Sequence, residues 1–437
     1  MGDTPGSQTV STKLQRIAEQ ARDYPGMVFN NLYHLIDFDF LREAYRLTSK
    51  KGAPGVDKVT AEQYAEDLEG NLRDLHERLR DNRYVAPPVE RVWIDKEDGK
   101  KRPIGKPCYK DKIVQRAVVM ILEAIFEQVF HAFSHGFRKG HSQHQALREL
   151  REQCRELNIK WIVDADVSGF FDNIAHDSLR GFIKQRVKDG GIIRLIGKWL
   201  NAGVLDAGEL THPDKGTPQG GVISPMLANI FLHYVLDEWF VKVVQPQLKG
   251  RSFLLRWADD FIIGFEEETE ARRVMEALPK QFSRFNLTIH PEKTKLVRFV
   301  QPFSKEKTAE GNGTLDFLGF THYWAKSLRG YWVIKRKTVG KRLRRFMKAI
   351  WEWCRENRHD PIKEQHGTLS SKLRGYYQYY GIRGNYKMLE VVFEHTERAW
   401  RYWLGKRSSK GFVSFEKFDA FFRKVLPLPK PRIIHSI

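Results

Sequence analysis

The sequence predicts an α+β protein that ends in a basic, helical region. Three observations carry that reading. Apolar residues recur at helical spacing over long stretches, 14–48 and 112–130. Two short apolar runs, 161–167 and 253–265, have the length and bounds of strands yet hold acids at their centres. Beyond Ile334 the composition changes: 335–348 holds eight Lys and Arg and no acid, and aromatic-rich helical stretches follow to about residue 404.

Each element follows from its local chemistry. Residues 1–10 are polar, with Gly2, Pro5, Gly6 and Ser7, and are expected to lack fixed structure. The pattern over 14–48 breaks at Pro25-Gly26, giving two helices before a loop at 52–55. Alternation over 88–96 reads as a strand feeding a turn at Asp98-Gly99, and a long helix over 112–130 comes next. In the run 161–167, Asp164 and Asp166 stand two apart, so both project from one face of a strand. In 253–265, apolar arms flank Asp259-Asp260, the pattern of a hairpin with acids at its tip. A polar loop at 301–314 leads into 315–320, and a domain boundary is placed near 334. No repeat of 20 to 50 residues and no low-complexity linker interrupts the chain.

Composition bounds the function. The chain has 437 residues, 41% of them hydrophobic and 12% aromatic, which excludes wholesale disorder and leaves room for two to four domains. The formal net charge of +20 points to a polyanionic partner, RNA or DNA, because cations placed near phosphates release condensed counterions. Three widely spaced cysteines exclude a disulfide framework and a CxxC zinc site, and they fit a reducing compartment. The N-terminus has no apolar leader and no run of 18 apolar residues occurs, so a soluble, intracellular protein without membrane attachment is expected.

Asp166, Asp259 and Asp260 are the centre of the chemistry. Carboxylates that bridge two divalent ions allow both the attacking and the leaving oxygen of a phosphoryl displacement to be stabilised, and hard oxygen ligands suit Mg²⁺. An Asp-Asp pair alone is more often a solvated turn. The surrounding blocks change that balance: Lys101-Arg102-Pro103-Ile104-Gly105, Ser134-His135-Gly136-Phe137-Arg138, Asp166-Val167-Ser168-Gly169-Phe170-Phe171-Asp172 and 216–225 (GTPQGGVISP). Trp257-Ala258-Asp259-Asp260, 286–294 and Phe317-Leu318-Gly319-Phe320 follow. In these seven ordered blocks the chain resembles reverse transcriptases, most closely the bacterial group II intron-encoded reverse transcriptase/maturase family, from about residue 50 onward.

The resemblance implies a right-hand polymerase fold. Its parts would be an N-terminal helical extension (1–50), a fingers and palm reverse transcriptase domain (51–334) and a helical basic thumb, or maturase X, domain (335–437). It implies that Asp166, Asp259 and Asp260, with Val167 beside them, hold two Mg²⁺ ions, for which Mn²⁺ could substitute. Asp164 would stand behind this set. Phe170 would be a steric gate that excludes a ribose 2′-OH. Lys96 and Arg102 would meet the incoming triphosphate, Gln219 in its glycine-rich turn would approach the nucleotide, and Lys293 would lie near the active site. Two positions depart from the family pattern, Trp257 for a tyrosine and Lys139 for a proline, and neither removes a metal ligand.

In the last region, Lys335, Arg336, Lys337, Lys341, Arg342, Arg344, Arg345 and Lys348 form a basic stripe suited to phosphates. Of the aromatic residues that follow, Trp351, Trp353, Tyr376, Tyr377, Tyr379 and Tyr380, any single ring is more often core than a base platform. The resemblance implies RNA-directed DNA synthesis from an RNA template, a DNA or RNA primer and dNTPs. It also implies maturase action on structured intron RNA in the bacterial cytoplasm, at or near the nucleoid. The alternatives are a domesticated enzyme of DNA repair, phage defence, spacer acquisition or diversification, and an RNA-binding splicing cofactor with little polymerase activity. His131, His135, His141 and His144 lack ligand spacing and read as ordinary histidines. No P-loop, HExxH or HNH-type cluster is present.

Overall fold

Residues 5–95, 99, 101–212, 214–217, 220–305, 308–407, 414–420 and 424–437 are described by the structure, a computed structural model. The chain is a mixture of helices and strands, as expected, and it groups into two compact units. One comprises Met1–His141, Val163–Ile263 and Thr269–Lys295; the other comprises Ser142–Ile162, Gly264–Glu268 and Leu296–Ile437. The strands in chain order begin with β1 (Val89–Asp95), β2 (Lys101–Lys106), β3 (Trp161–Ala165), β4 (Val167–Ser168), β5 (Val204–Asp206), β6 (Glu209–Thr211) and β7 (Ser252–Trp257). They continue with β8 (Asp260–Phe265), β9 (Thr288–Ile289), β10 (Lys295–Arg298), β11 (Leu315–Phe317), β12 (Phe320–Lys326) and β13 (Trp332–Thr338).

In the first unit the break at Pro25-Gly26 separates the helix Pro5–Asp23 from Phe38–Leu47. The second helix is capped by Asp37, whose carboxylate accepts the Phe40 N–H at 2.9 Å. From residue 5 on the polar start is helical, residues 1–4 lying outside the described residues: the first helix begins at Pro5, a residue whose fixed φ and missing N–H suit a first helical turn. Both helices pack on Tyr109–Phe126, which is buried on almost every side and forms the centre of this unit. β1 pairs antiparallel with β2, Asp95 facing Lys101, and takes β5 in parallel on its other edge. β3, β8 and β7 are neighbours in that order in a second sheet. The short β4 pairs with β9, Val167 opposite Ile289.

The central helix carries a buried acid. Asp111 accepts a hydrogen bond from the Tyr84 hydroxyl at 2.8 Å, and that oxygen in turn accepts the Trp199 Nε1–H at 2.9 Å. Burial pushes the Asp111 carboxyl up from 3.8 to about 7. The folded state therefore holds a proton that the unfolded chain has released, so this group makes stability fall as pH rises from about 4 to about 7. Asp111→Asn keeps an acceptor for Tyr84 and removes that titration. Its urea midpoint should vary less between those pH values than the wild type's; an equal slope in both proteins would contradict the assignment.

In the second unit β11, β12 and β13 form an antiparallel meander. Leu318 and Gly319 make the turn between β11 and β12, both with positive φ (47° and 79°), the backbone that a two-residue hairpin favours. Three helices follow, Gly340–Glu356, Ile362–Tyr380 and Tyr386–Leu404, around a core that includes Leu369, Tyr376, Tyr377 and Trp400. Tyr376 and Tyr377 are thus core rings, as the spacing favoured. The basic segment is not one helix: Lys335, Arg336 and Lys337 lie on β13, and the helix starts at Gly340. No helix among the described residues is long and apolar enough to cross a membrane.

Candidate active site

The acidic hairpin is held from behind by a buried cation. Ala258 and Asp259 form the two-residue turn between β7 and β8, and Ala258 sits at φ +54°. A non-glycine residue there costs roughly 1–2 kcal/mol and persists only where its surroundings fix it. Arg256 does the fixing. It is fully buried and forms a two-pronged pair with the equally buried Asp237, Nε to Oδ1 at 2.8 Å and Nη2 to Oδ2 at 2.6 Å. Its Nη1 donates to the Ala258 carbonyl and to Asn229 Oδ1, each at 3.0 Å. Asn229 Nδ2 donates to the Gly136 carbonyl at 2.7 Å, and the His135 N–H donates to the Arg256 carbonyl at 2.9 Å.

This network explains the block Ser134-His135-Gly136-Phe137-Arg138. A Cβ on Gly136 would stand 2.2 Å from the Ala258 nitrogen, so only glycine lets that backbone seat the turn. Gly136→Ala should move the turn or destabilise the fold by about 1–3 kcal/mol, the usual cost of overpacking. Chemical denaturation checks this, and unchanged stability with unchanged activity would contradict it.

The acids converge. Asp166 follows β3 directly, and its carbonyl accepts the His290 N–H at 2.7 Å, which brings the segment after β9 alongside. From that segment Lys293 Nζ reaches Asp166 Oδ2 at 2.9 Å. Asp259 has its pKa raised, first by burial and further by the negative charge of Asp166; its own backbone N–H and the cations Arg102 and Arg256 pull the other way. Asp166, distant in sequence, and Arg102 on β2 thus both act on Asp259. Asp260 opens β8 and is exposed. A divalent cation fits this donor set: hard carboxylate oxygens, mutually repelling, beside which Lys293 already supplies one positive charge.

The other sequence candidates divide. Lys96 and Gln219 lie outside the described residues. Gly220, next to Gln219, has φ +115°, and a Cβ there would meet the Gly105 carbonyl oxygen at 2.4 Å, so the close backbone approach at this position is to β2. Phe170 is corrected: its ring is buried, 2% exposed, against Phe171 and Phe231 with centroids 5.3 and 6.3 Å away. It fills the core and offers no face to a sugar. Val167 is buried on β4 beside Asp166, and Asp164 is half-buried. Trp257 is half-buried at the end of β7, and Lys139 pairs with Glu123 at 2.9 Å.

Within the second unit, Lys341, Arg344, Arg345 and Lys348 are exposed along one face of their helix, spaced three and four apart. Lys337 is exposed over the Tyr323 ring; Lys335 and Arg342 are half-buried. Arg336 departs from the stripe, since it is 2% exposed. Three of the four histidines take ordinary partners, His135 meeting His141 at 3.0 Å and His144 the Tyr379 carbonyl at 2.9 Å; His131 departs from that reading, since its Nε2 meets Glu238 at 2.9 Å and, with His233, the three place their ligand atoms within 4.8 Å of one another. Sequence reasoning missed Arg256 and Asp237. An arginine inside an apolar strand, three residues before the acidic pair, was the available signal.

A family model described as reverse transcriptase (RNA-dependent DNA polymerase) matches residues 94–322, more than half of the chain. The chain belongs to the reverse transcriptase family. All seven blocks quoted above fall inside the match. Protein YkfC of Escherichia coli is 36% identical over 57% of this chain and 66% of its own length. The group II intron-encoded protein LtrA of Lactococcus lactis is 40% identical over 53% of this chain and 38% of its own. An uncharacterized 91 kDa protein in a cob intron of Schizosaccharomyces pombe is 36% identical over 53% and 29%. These relatives agree with the group II resemblance, and the chain spans between about a third and two thirds of their lengths. An α+β chain with this domain fits a reverse transcriptase fold.

Proposed function

We propose that this chain is an RNA-directed DNA polymerase with a group II maturase role, built as fingers and palm (51–334) and a thumb (335–437) in a right-hand arrangement. The observation that carries the reading is the electrostatic reach of Asp166 to Asp259, with Lys293 on one and Arg102 near the other. Asp166, Asp259 and Asp260, with the Val167 backbone, would hold two Mg²⁺ ions. Bound there, the ions supply Lewis-acid stabilisation of the attacking and leaving oxygens.

The protein's own groups prepare the reaction, in which a primer 3′-oxygen attacks the α-phosphorus of a dNTP and pyrophosphate departs. Burial of Asp259 and its proximity to Asp166 concentrate negative charge at one place. Lys293 fixes the Asp166 carboxylate in orientation. Arg102, exposed at the start of β2, can meet a triphosphate without leaving the reach of Asp259. The exposed stripe Lys341, Arg344, Arg345 and Lys348 suits the phosphates of the template and primer, and of intron RNA.

Extension of a labelled DNA primer on an RNA template, with dNTPs and MgCl₂, tests the proposal. Products one nucleotide longer at each template position, absent with excess EDTA, are expected. No extension under any divalent ion would contradict the assignment.

A further inference from the structure

Arg336 is a buried guanidinium paired with no acidic side chain among the described residues. Its Nη1 lies 3.5 Å from the Leu147 carbonyl and its Nη2 donates to an oxygen of Ile437, while Nε is buried with no hydrogen-bond partner among the described residues. The residue facing it across the β12–β13 ladder is His322, itself fully buried. Burial, with the like charge of Arg151, pushes the Arg336 pKa down to about 10. A buried guanidinium is costly unless oxygens compensate it, and those of Leu147 and of Ile437, the last residue of the chain, supply part of that while Nε stays unmet.

The space beside it is arranged for one. A cavity of about 600 Å³ is lined by Arg336 together with Arg151, Arg329, Lys335 and Arg383; no acidic side chain lines it, and Ile437, whose oxygen meets Arg336, stands in its wall. Leu328, Val333 and Ile334 add apolar surface to its wall. Five cations around one concavity fit a phosphate. The volume far exceeds a lone oxyanion, and the apolar wall suits a sugar, so the complementary occupant is a sugar-phosphate unit of a strand. We propose that this cavity is a phosphate-binding site for a nucleic-acid strand, RNA above all, separate from the exposed stripe on the helix Gly340–Glu356. The proposal deepens the reading of the chain as a nucleic-acid polymerase and rests on it.

The test is binding of a fluorescein-labelled single-stranded RNA to the full chain over a series of KCl concentrations. The wild type is compared with Arg329→Ala, Arg383→Ala, the double variant and Arg383→Lys. Arg329 and Arg383 are both exposed, so the single substitutions leave the core untouched, and thermal melting verifies folding. Each alanine should reduce the slope of log K against log[KCl] by about 0.7, the contribution of one neutralised phosphate on a single strand, and Arg383→Lys should restore it. If the wild type binds RNA and the double variant keeps the same slope and affinity, the cavity is not part of the interface and the proposal is overturned. If inorganic phosphate raises the melting temperature of the wild type but not of the double variant, while RNA binding is equal, free phosphate is the ligand and the strand assignment is overturned. A wild type that binds no RNA would remove this site and the polymerase reading together.

Discussion

Asp259→Asn should reduce primer extension by more than about 100-fold. Loss of an outer partner of a metal ligand already costs 10- to 100-fold in affinity or activity, and this change removes a ligand itself. Asparagine keeps the shape of the side chain, so the turn and its backbone hydrogen bonds should survive and stability should change little. The raised pKa of Asp259 adds a pH signature. Its carboxylate takes up a proton at a higher pH than an ordinary aspartate, and the protonated form cannot bind a divalent cation. Activity at limiting Mg²⁺ should therefore fall on the acid side, and raising Mg²⁺ should shift that fall to lower pH. Single-turnover extension by both proteins across pH measures the effect. Comparable rates from the variant and the wild type would remove Asp259 from the chemistry.

The second large effect lies behind the site. Arg256→Met leaves Asp237 buried with its paired charge gone, and breaking such a pair costs about 3–5 kcal/mol. It also deprives the Ala258 carbonyl of its donor. Urea unfolding should show the loss of stability. The double variant Arg256→Met, Asp237→Leu should recover much of it, because an apolar replacement of both partners removes the unpaired charge. Activity should not recover, since the Ala258 carbonyl has then lost the donor that helps to hold its left-handed conformation. Recovery of both would mean that the pair serves stability alone.

The contrast between these residues shows what the sequence can carry. Asp166 and the Asp259-Asp260 pair were legible because acids inside apolar strand-length runs are costly without a purpose, and the hairpin around Asp259 followed from its apolar arms. The left-handed backbone at Ala258 was not legible, because nothing in an alanine announces it. Tertiary support decides it, through Arg256 and the close approach of Gly136. Phe170 misled for a related reason: adjacent aromatic residues do not reveal which ring faces outward, and the short helix Phe170–Asn173 turns Phe170 into the core. Charge counting along 335–348 could not separate Arg336 from its neighbours. Only the change from strand to helix at Gly340, and the inward side of β13, distinguish the buried guanidinium from the exposed stripe.

Localised hydroxyl-radical cleavage tests the convergence of the acids most directly. With Fe²⁺ in place of Mg²⁺ and ascorbate as reductant, the backbone should be cut at two separate places, around Asp166 and around Ala258 to Asp260. Excess Mg²⁺ should suppress both cuts together, and Asp259→Asn should abolish both. Cleavage near only one of the two segments, or cuts that persist in the variant, would show that these carboxylates do not share a metal site.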